Sequence, residues 1–427
     1  MSTTTKNGLI TRPSRRTVLK GGAATLAAST LFTPALLRAA EPVIRIGHVS
    51  PQTGPMAGFA EAQEWTLGGI RKFLEPGLTI GGTNYKVEII TKDSQTDESR
   101  AAEVANELIL KDKVDIITAS SGSTNTVPVA NAAELNEIPC VTTDNPWESY
   151  YYNRNPPAEG FTWTYHFFWG LEQVLSCFIG LWNDQPTNKV VGVLFNTAAD
   201  DTSWHNAFVP AIQKAGYTVI DPGQFPAFGN DFTPQIAAFK AAGVEIVTGN
   251  LFLPDFAGFY AQCAQQGYQP KVITLGKAFL FPADVESLGP RGLGVTSEVW
   301  WTPLHPYSSS LTGISSKDLG ASYEADTGRH WTQPIPFKHA LMEVVIDVLK
   351  RSGNPKDPQA ILDAITKTNL NTIVGPVNWA NGPVKNVCTT PVVAGQWQKN
   401  GDRLDIAIVN SGQFPDIKTT SKLLPLG

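Results

Sequence analysis

Between residues 43 and 147 short β-branched runs alternate with helical patterns, and this alternation restricts the fold more than any other feature. Strands are expected at 43–47, 85–91, 114–118 and 139–143. The segment 98–110 reads as an amphipathic helix, with apolar positions at Ala101, Val104, Ala105, Leu108 and Ile109. Such a series implies a parallel sheet covered on both faces. Its loops then emerge at the carboxyl ends of the strands, where open α/β sheets bind ligands.

The alternation resumes after an irregular stretch at 150–160. An extended segment at 161–165 precedes a helix expected at 166–182. Strands follow at 189–195, 217–220, 244–248, 271–275 and 293–301, with helices at 203–215, 233–242 and 254–266 between them. The run Val114-Asp115-Ile116-Ile117-Thr118-Ala119 is echoed in residue type by Val244-Glu245-Ile246-Val247-Thr248-Gly249. Each follows an alanine-rich helix, which points to two lobes of like architecture. Helical patterns at 317–327, 337–351 and 358–368 have no strand of their own to cover, so they are expected to return to the first lobe. The expected fold is α/β: two Rossmann-like lobes, parallel sheets flanked by helices, joined by a multi-crossover hinge with a ligand cleft between them. Lobe 1 is assigned 41–163 and 302–375, lobe 2 164–301 and 376–427.

The first 40 residues are expected to lie outside the fold. Arg15-Arg16 precedes a mild apolar segment and then Arg38-Ala39-Ala40. An arginine pair, a weak apolar region and a basic residue before cleavage suggest a twin-arginine signal cleaved near Ala40. Val18 stands where that pattern usually carries Phe, which keeps the general secretory route open. The periplasm is therefore the expected location, without stable membrane insertion. Removing 1–40 discards six basic residues and no acidic one, taking the formal charge from −5 to −5 − 6 = −11. An acidic chain without a basic block argues against nucleic acid as a partner. Cys140, Cys177, Cys263 and Cys388 lack CxxC spacing and sit in apolar or helical contexts, favouring buried thiols.

The sequence carries no nucleophile elbow, zinc-protease motif or phosphate loop. Its six histidines form no local metal pair. The reading is of a non-enzyme with no cofactor and no metal. What stands out is a loop of small and hydroxylated residues at 119–124, leading into a helix, and aromatic residues at expected loop edges: Phe59, Trp65, Trp147, Trp163, Tyr165, Trp204, Phe252, Phe279, Trp300 and Trp301. Ser123 or Thr124 has two readings, as a helix cap or as part of a polar-group site at a helix N-terminus. Aromatic walls with a few polar groups are what a small-molecule cleft requires, although each aromatic could equally be core packing.

Ile44-Arg45-Ile46-Gly47 through Gly54-Pro55-Met56-Ala57, the Ser/Thr loop at 121–126, Ile138-Pro139 with its following strand, and Gly375-Pro376-Val377 resemble the leucine/isoleucine/valine-type periplasmic binding proteins, the solute receptors of ABC importers. The resemblance covers residues 43–400 in order. It implies a receptor that captures a small organic solute (an aromatic or organic acid, an amide, or an amino-acid-like molecule) and delivers it to importer permease subunits, acting as a monomer. Carried over, the ligand's polar end is held by Ser121, Ser123 and Thr124 and by Asp144, Asn145 and Trp147, while Phe59 closes over it; Trp65, from the aromatic set, is a further candidate. The second lobe contributes Asp201 and Thr202 from the 199–202 segment, Phe252, and Lys277 and Phe279. Amino-acid receptors of this family place an acid near position 277; the lysine here implies a carboxylate or neutral solute, unless Asp144 or Asp201 supplies the acid. Alternatives are a ligand-sensing module of the same fold and a periplasmic enzyme.

Overall fold

Two seven-stranded sheets carry the architecture of the computed structural model, which describes residues 41–426. The expected export signal lies outside the described residues. The first sheet is built from β1 (Val43–Ser50), β2 (Leu78–Ile80), β3 (Thr83–Asp93), β4 (Ile116–Ser120), β5 (Cys140–Thr143) and β6 (Thr164–Phe167), with helices α1 (Gln63–Phe73), α2 (Glu98–Asn106), α3 (Ser123–Leu135) and α4 (Trp147–Tyr152) between strands. After α5 (Leu171–Asn183) the second sheet is laid down: β7 (Val190–Phe195), α6 (Ala199–Lys214), β8 (Thr218–Ile220), α7 (Thr233–Ala242), β9 (Ile246–Leu251), α8 (Leu253–Gln265), β10 (Val272–Lys277), α9 (Pro282–Ser287) and β11 (Thr296–Val299). The chain then forms α10 (Ser316–Thr327), α11 (Pro334–Ser352) and α12 (Pro358–Ile365), a hairpin of β12 (Asn369–Thr372) and β13 (Gly375–Asn378), and finally β14 (Val387–Cys388), β15 (Val393–Asn400) and β16 (Arg403–Asn410).

The sheet orders are β14-β6-β5-β4-β1-β3-β2 and β16-β15-β11-β10-β9-β7-β8. Their parallel cores, β3-β1-β4-β5-β6 and β8-β7-β9-β10-β11, follow one winding rule. The two strands that echo each other in sequence, β4 and β9, occupy the same third position in that order and are buried along their whole length. Burial on both faces explains why they read as continuous apolar runs rather than alternating ones.

The chain crosses between sheets three times: after β6, after β11 and after β14. Helix α11 packs against α1, β5, β2 and β4 of the first sheet. Two expected boundaries shift. Residues 164–167 extend the first sheet, with Cys140 opposite Thr164 and Thr143 opposite Phe167, so the crossing lies at 168–170 rather than at 163. The helix expected from 166 starts at Leu171, after Gly170. Likewise β14 pairs with β6, keeping the chain with the first lobe to Cys388 instead of 375. Which sheet an edge strand joins is decided by long-range hydrogen bonds, which local patterning does not encode.

Candidate functional site

The carboxyl ends of the parallel strands face one another across a cavity of about 30 Å³, space for about two waters. β4 ends in Ser121-Gly122, β5 in Asp144-Asn145 and β6 in Phe168-Trp169. From the other lobe come Asp200 after β7, Asn250 near the end of β9, Lys277 at the end of β10, and Glu298 and Trp300 at the end of β11. Met56 and Phe59, from the loop after β1, complete the wall. Phe59 meets Phe281 of the second lobe edge-on at 5.0 Å and stacks near Trp300 at 6.1 Å, so the cleft is shut by aromatic rings. Four larger hollows, of about 350 to 660 Å³, lie beside the β15–β16 hairpin, over α1, by the 185–187 and 269–271 turns, and after α9. None lies where the strand ends converge, so the small cavity is the candidate site.

Backbone geometry at the strand ends is unusual in both lobes. Ser121, Asp144 and Lys277 adopt φ of 75°, 65° and 61°, a left-handed conformation that costs non-glycine residues energy and concentrates at functional sites. Gly122 sits at φ +81°, which L side chains rarely adopt, and a Cβ there would stand 2.6 Å from the Met56 methyl and force that side chain to shift.

Each lobe places a buried lysine against carboxylates. In the first lobe, Lys338 of α11 donates to the Phe59 carbonyl (2.6 Å) and the Ser121 hydroxyl (3.3 Å) and lies 3.5 Å from Asp144 Oδ2. The Ser121 hydroxyl donates in turn to Asp144 (2.8 Å). Burial pushes Asp144 up to about 6 despite Lys338 and Ser121, and burial lowers Lys338 despite Asp144. In the second lobe, Lys277 lies 2.6 Å from Asp200 and 3.0 Å from Asp201, with Phe252 5.1 Å from its ammonium. Burial favours a neutral lysine there, but the two carboxylates outweigh it and hold Lys277 above the usual lysine range. Burial pushes Asp201 up to about 7, with Asp200 adding to the rise and Lys277 opposing it. The two ends of this pair thus point opposite ways, one favouring ions and one penalising them. The shorter contact decides: Asp200 is the primary partner of a charged lysine. Burial also pushes Glu298 up to about 7. Four carboxyl groups therefore confront two ammonium groups.

Several polar atoms here have no partner in the protein. Asp144 Oδ1, Asp200 Oδ1, Asp201 Oδ1 and Asn250 Oδ1 are buried without a donor, and Trp169, Trp204 and Trp300 each carry a buried indole nitrogen without an acceptor. Leaving such groups unsatisfied costs about 1–3 kcal/mol each, so their concentration around one cavity makes it the candidate for a ligand.

Of the residues expected at the site, Phe59, Asp144, Asn145 and Lys277 line the cavity and Asp201 supports it from behind Lys277. Ser121, Ser123 and Thr124 are brought close, but their hydroxyls are engaged within the protein, with Asp144, Asn145 and the Met56 sulfur respectively. Neither Ser123 nor Thr124 caps α3, whose N-cap is Gly122. The remaining expected residues are turned elsewhere. Trp147 is buried and donates to Glu172, Thr202 accepts from Gln224, and Phe279 packs on Phe256. Phe252 stacks on Phe228 beside Lys277. Trp65 projects from α1 onto α10, bonded to Asp326 and edge-on to Tyr323. Lys277 is paired with Asp200 and Asp201 and its side chain is 12% exposed, so the acid that the sequence reading left open stands beside the lysine itself. Asp200, from the expected 199–202 segment, also lines the cavity, and residues absent from the expected set are Met56, Phe168, Trp169, Trp204, Asn250, Glu298, Trp300 and Lys338. Trp204 and Trp300 belong to the aromatic set already noted. Lys338 has a signal of its own, a single cation inside the apolar run Ile335 to Ile346.

The family model described as "Periplasmic binding protein" matches residues 43–402. The "Leu/Ile/Val-binding protein homolog 6" of Brucella suis biovar 1 (strain 1330) is 23% identical over 361 residues, 83% of this chain and 87% of that protein. Among solved structures, a leucine-binding protein from Thermotoga maritima MSB8 superposes with TM-score 0.71 at 20% identity, covering 86% of this chain and 99% of its own. An ABC-transporter solute-binding protein from Rhodopseudomonas palustris BisB5, in complex with 3,4-dihydroxybenzoic acid, superposes with TM-score 0.68 at 18% identity, covering 87% and 99%.

Proposed function

The chain belongs to the periplasmic binding protein family, and from that premise we propose that it captures a compact nitrogenous solute, an amide or an α-amino acid, between its two lobes and delivers it to the permease subunits of an ABC importer from the periplasm. One observation carries the choice of solute: buried, unpartnered carboxylate oxygens of Asp144 and Asp200, one from each lobe, on a cavity wall already rich in carboxylates. Such oxygens require hydrogen-bond donors. An amide or ammonium nitrogen supplies them to both lobes at once, which also gives the closed state its differential affinity. An aromatic acid such as the one held by the Rhodopseudomonas protein brings a further negative charge instead. The small cavity favours a ligand of few heavy atoms, and the absence of any cofactor or nucleophile motif favours a receptor over an enzyme.

The test is calorimetric titration of the protein with acetamide, propionamide, urea, L-alanine, L-leucine, benzoate and 4-hydroxybenzoate at pH 5 and pH 8, with each compound recovered afterwards. An amide or amino acid is expected to bind saturably, to be recovered unchanged, and to bind more tightly at pH 8. The sign follows from Asp144, Asp201 and Glu298, which ionise over this window and then attract donors. Benzoate binding that strengthens at pH 5, with no response to the nitrogenous compounds, overturns the proposal.

A further inference from the structure

Tryptophan indoles in this protein obey a rule with a local exception. Trp147, Trp182, Trp301, Trp379 and Trp397 are buried, and each donates its N–H: to Glu172, Thr274, Ser316, the Ile365 carbonyl and the Phe279 carbonyl respectively. Among the described residues, the buried indole nitrogens that lack an acceptor are those of Trp169, Trp204 and Trp300, and all three residues line the interlobe cavity. Trp169 and Trp204 are only 1% and 2% exposed, so their indoles face the cavity side rather than bulk solvent. Trp169 comes from the first crossing between lobes and Trp204 from α6 of the second lobe. Their rings meet edge-on at 6.0 Å. Trp300 differs, because its indole stands close enough to Glu298 to help hold that carboxyl down. Two free donors therefore remain, on rings in edge-on contact at the cavity wall. Meanwhile the hydroxyls of Ser121, Ser123 and Thr124 are already engaged within the protein, and Thr126 donates to the Gly122 carbonyl.

We infer that the acceptor end of the solute, its carbonyl or carboxylate oxygen, binds the indole N–H groups of Trp169 and Trp204 rather than the hydroxyls of the Ser/Thr loop. The inference rests on the solute-receptor reading above and specifies which wall of the cleft holds which end of the molecule. Asp144 and Asp200 take the nitrogen, and the indole pair takes the oxygen. Because one indole belongs to a crossing segment and the other to the second lobe, the oxygen would bind both only when the cleft is shut.

The experiment is a titration of ¹⁵N-labelled protein with acetamide, acetate and L-leucine, observing the indole N–H signals. Assignment comes from Trp169→Phe and Trp204→Phe, which keep an aromatic ring and remove only the donor, or from contacts to neighbouring rings in the unsubstituted protein should a variant fail to fold. Expected are downfield movement of these two indole signals with whichever probe binds, and affinity about 3- to 10-fold weaker in each variant, the value of one hydrogen bond. Thr124→Val should bind as the unsubstituted protein does. Unchanged affinity in both tryptophan variants, with still indole signals and moving Ser123 and Thr124 amide signals, assigns the oxygen to the N-terminus of α3 and overturns this inference while leaving the receptor reading intact. Saturable binding of none of the three probes removes the small nitrogenous solute and this inference together.

Discussion

Replacing Lys338 by methionine isolates the electrostatics of the first lobe. The ammonium is 1% exposed and serves three oxygens: the Phe59 carbonyl at 2.6 Å, the Ser121 hydroxyl at 3.3 Å and Asp144 Oδ2 at 3.5 Å. Without it, Asp144 keeps only the Ser121 hydroxyl as a donor. The lesion depends on pH in a direction that can be worked out. Asp144 is pushed up to about 6 in the folded protein against an ordinary 3.8, so its ionisation subtracts stability as pH rises from 3.8 and, with Lys338 present, stops subtracting at about pH 6. In Lys338→Met the carboxyl is held higher still, and the subtraction continues towards pH 8. Each pH step there costs about 1.4 kcal/mol, or about 2.7 kcal/mol from pH 6 to pH 8. At pH 5 the carboxyl is largely neutral in both proteins, and the loss is that of the hydrogen bond to Phe59, about 1–2 kcal/mol. At pH 8 the total reaches about 4 kcal/mol, as for other broken buried pairs. Urea unfolding followed by circular dichroism at both pH values measures the difference. Adding Asp144→Asn should return the pH 8 loss to its pH 5 value. Equal losses at the two pH values, or no rescue by Asp144→Asn, would refute the assignment of the effect to this pair.

Other outcomes follow from the same geometry. Lys277→Met leaves Asp200 and Asp201 buried side by side without a cation; about 3–5 kcal/mol of stability should be lost at pH 8 and much less at pH 5, where Asp201, pushed up to about 7, is protonated, as thermal unfolding across pH would record. Gly122→Ala forces a side chain into φ +81° and against Met56; a loss of about 1–3 kcal/mol is expected on urea unfolding. Trp65→Ala should lower stability yet leave solute affinity within about twofold, because the ring packs on Tyr323 outside the cleft; a large affinity change would return Trp65 to the site. The four cysteines are buried and unpaired, so a thiol reagent should count none in the native protein and all of them in denaturant.

The candidate site was legible at the level of strand ends and obscure at the level of partners. The Ser/Thr loop, Asp144, Asn145 and Phe59 sit on loops that the strand–helix alternation places at one edge of a sheet, and reading them required only local patterns. Trp147 follows a strand of the same sheet and Thr202 one of the second, yet both satisfy protein partners instead of the cavity. Trp65 was a misreading of a different kind. An aromatic residue on an amphipathic helix marks a contact surface without saying which surface, and here the surface belongs to α10. Lys277 shows where charge reading from sequence stops. The residue type pointed to a carboxylate or neutral solute unless an aspartate supplied an acid, and only the structure shows Asp200 and Asp201 set against the lysine.

What the sequence determined by itself was the alternation of apolar strands with amphipathic helices, hence two parallel sheets, a common winding order and ligand loops at their carboxyl edges. These properties depend on residue type at short spacing. Tertiary structure alone decided that Lys338 would reach the Phe59 carbonyl across 279 positions of sequence and that Lys277 would find Asp201 across 76. It also decided that two indoles from different segments would be left without acceptors. The physical reason is that burial sets the cost of every polar group, and the partner that relieves the cost is chosen by how three crossings fold the chain back upon itself.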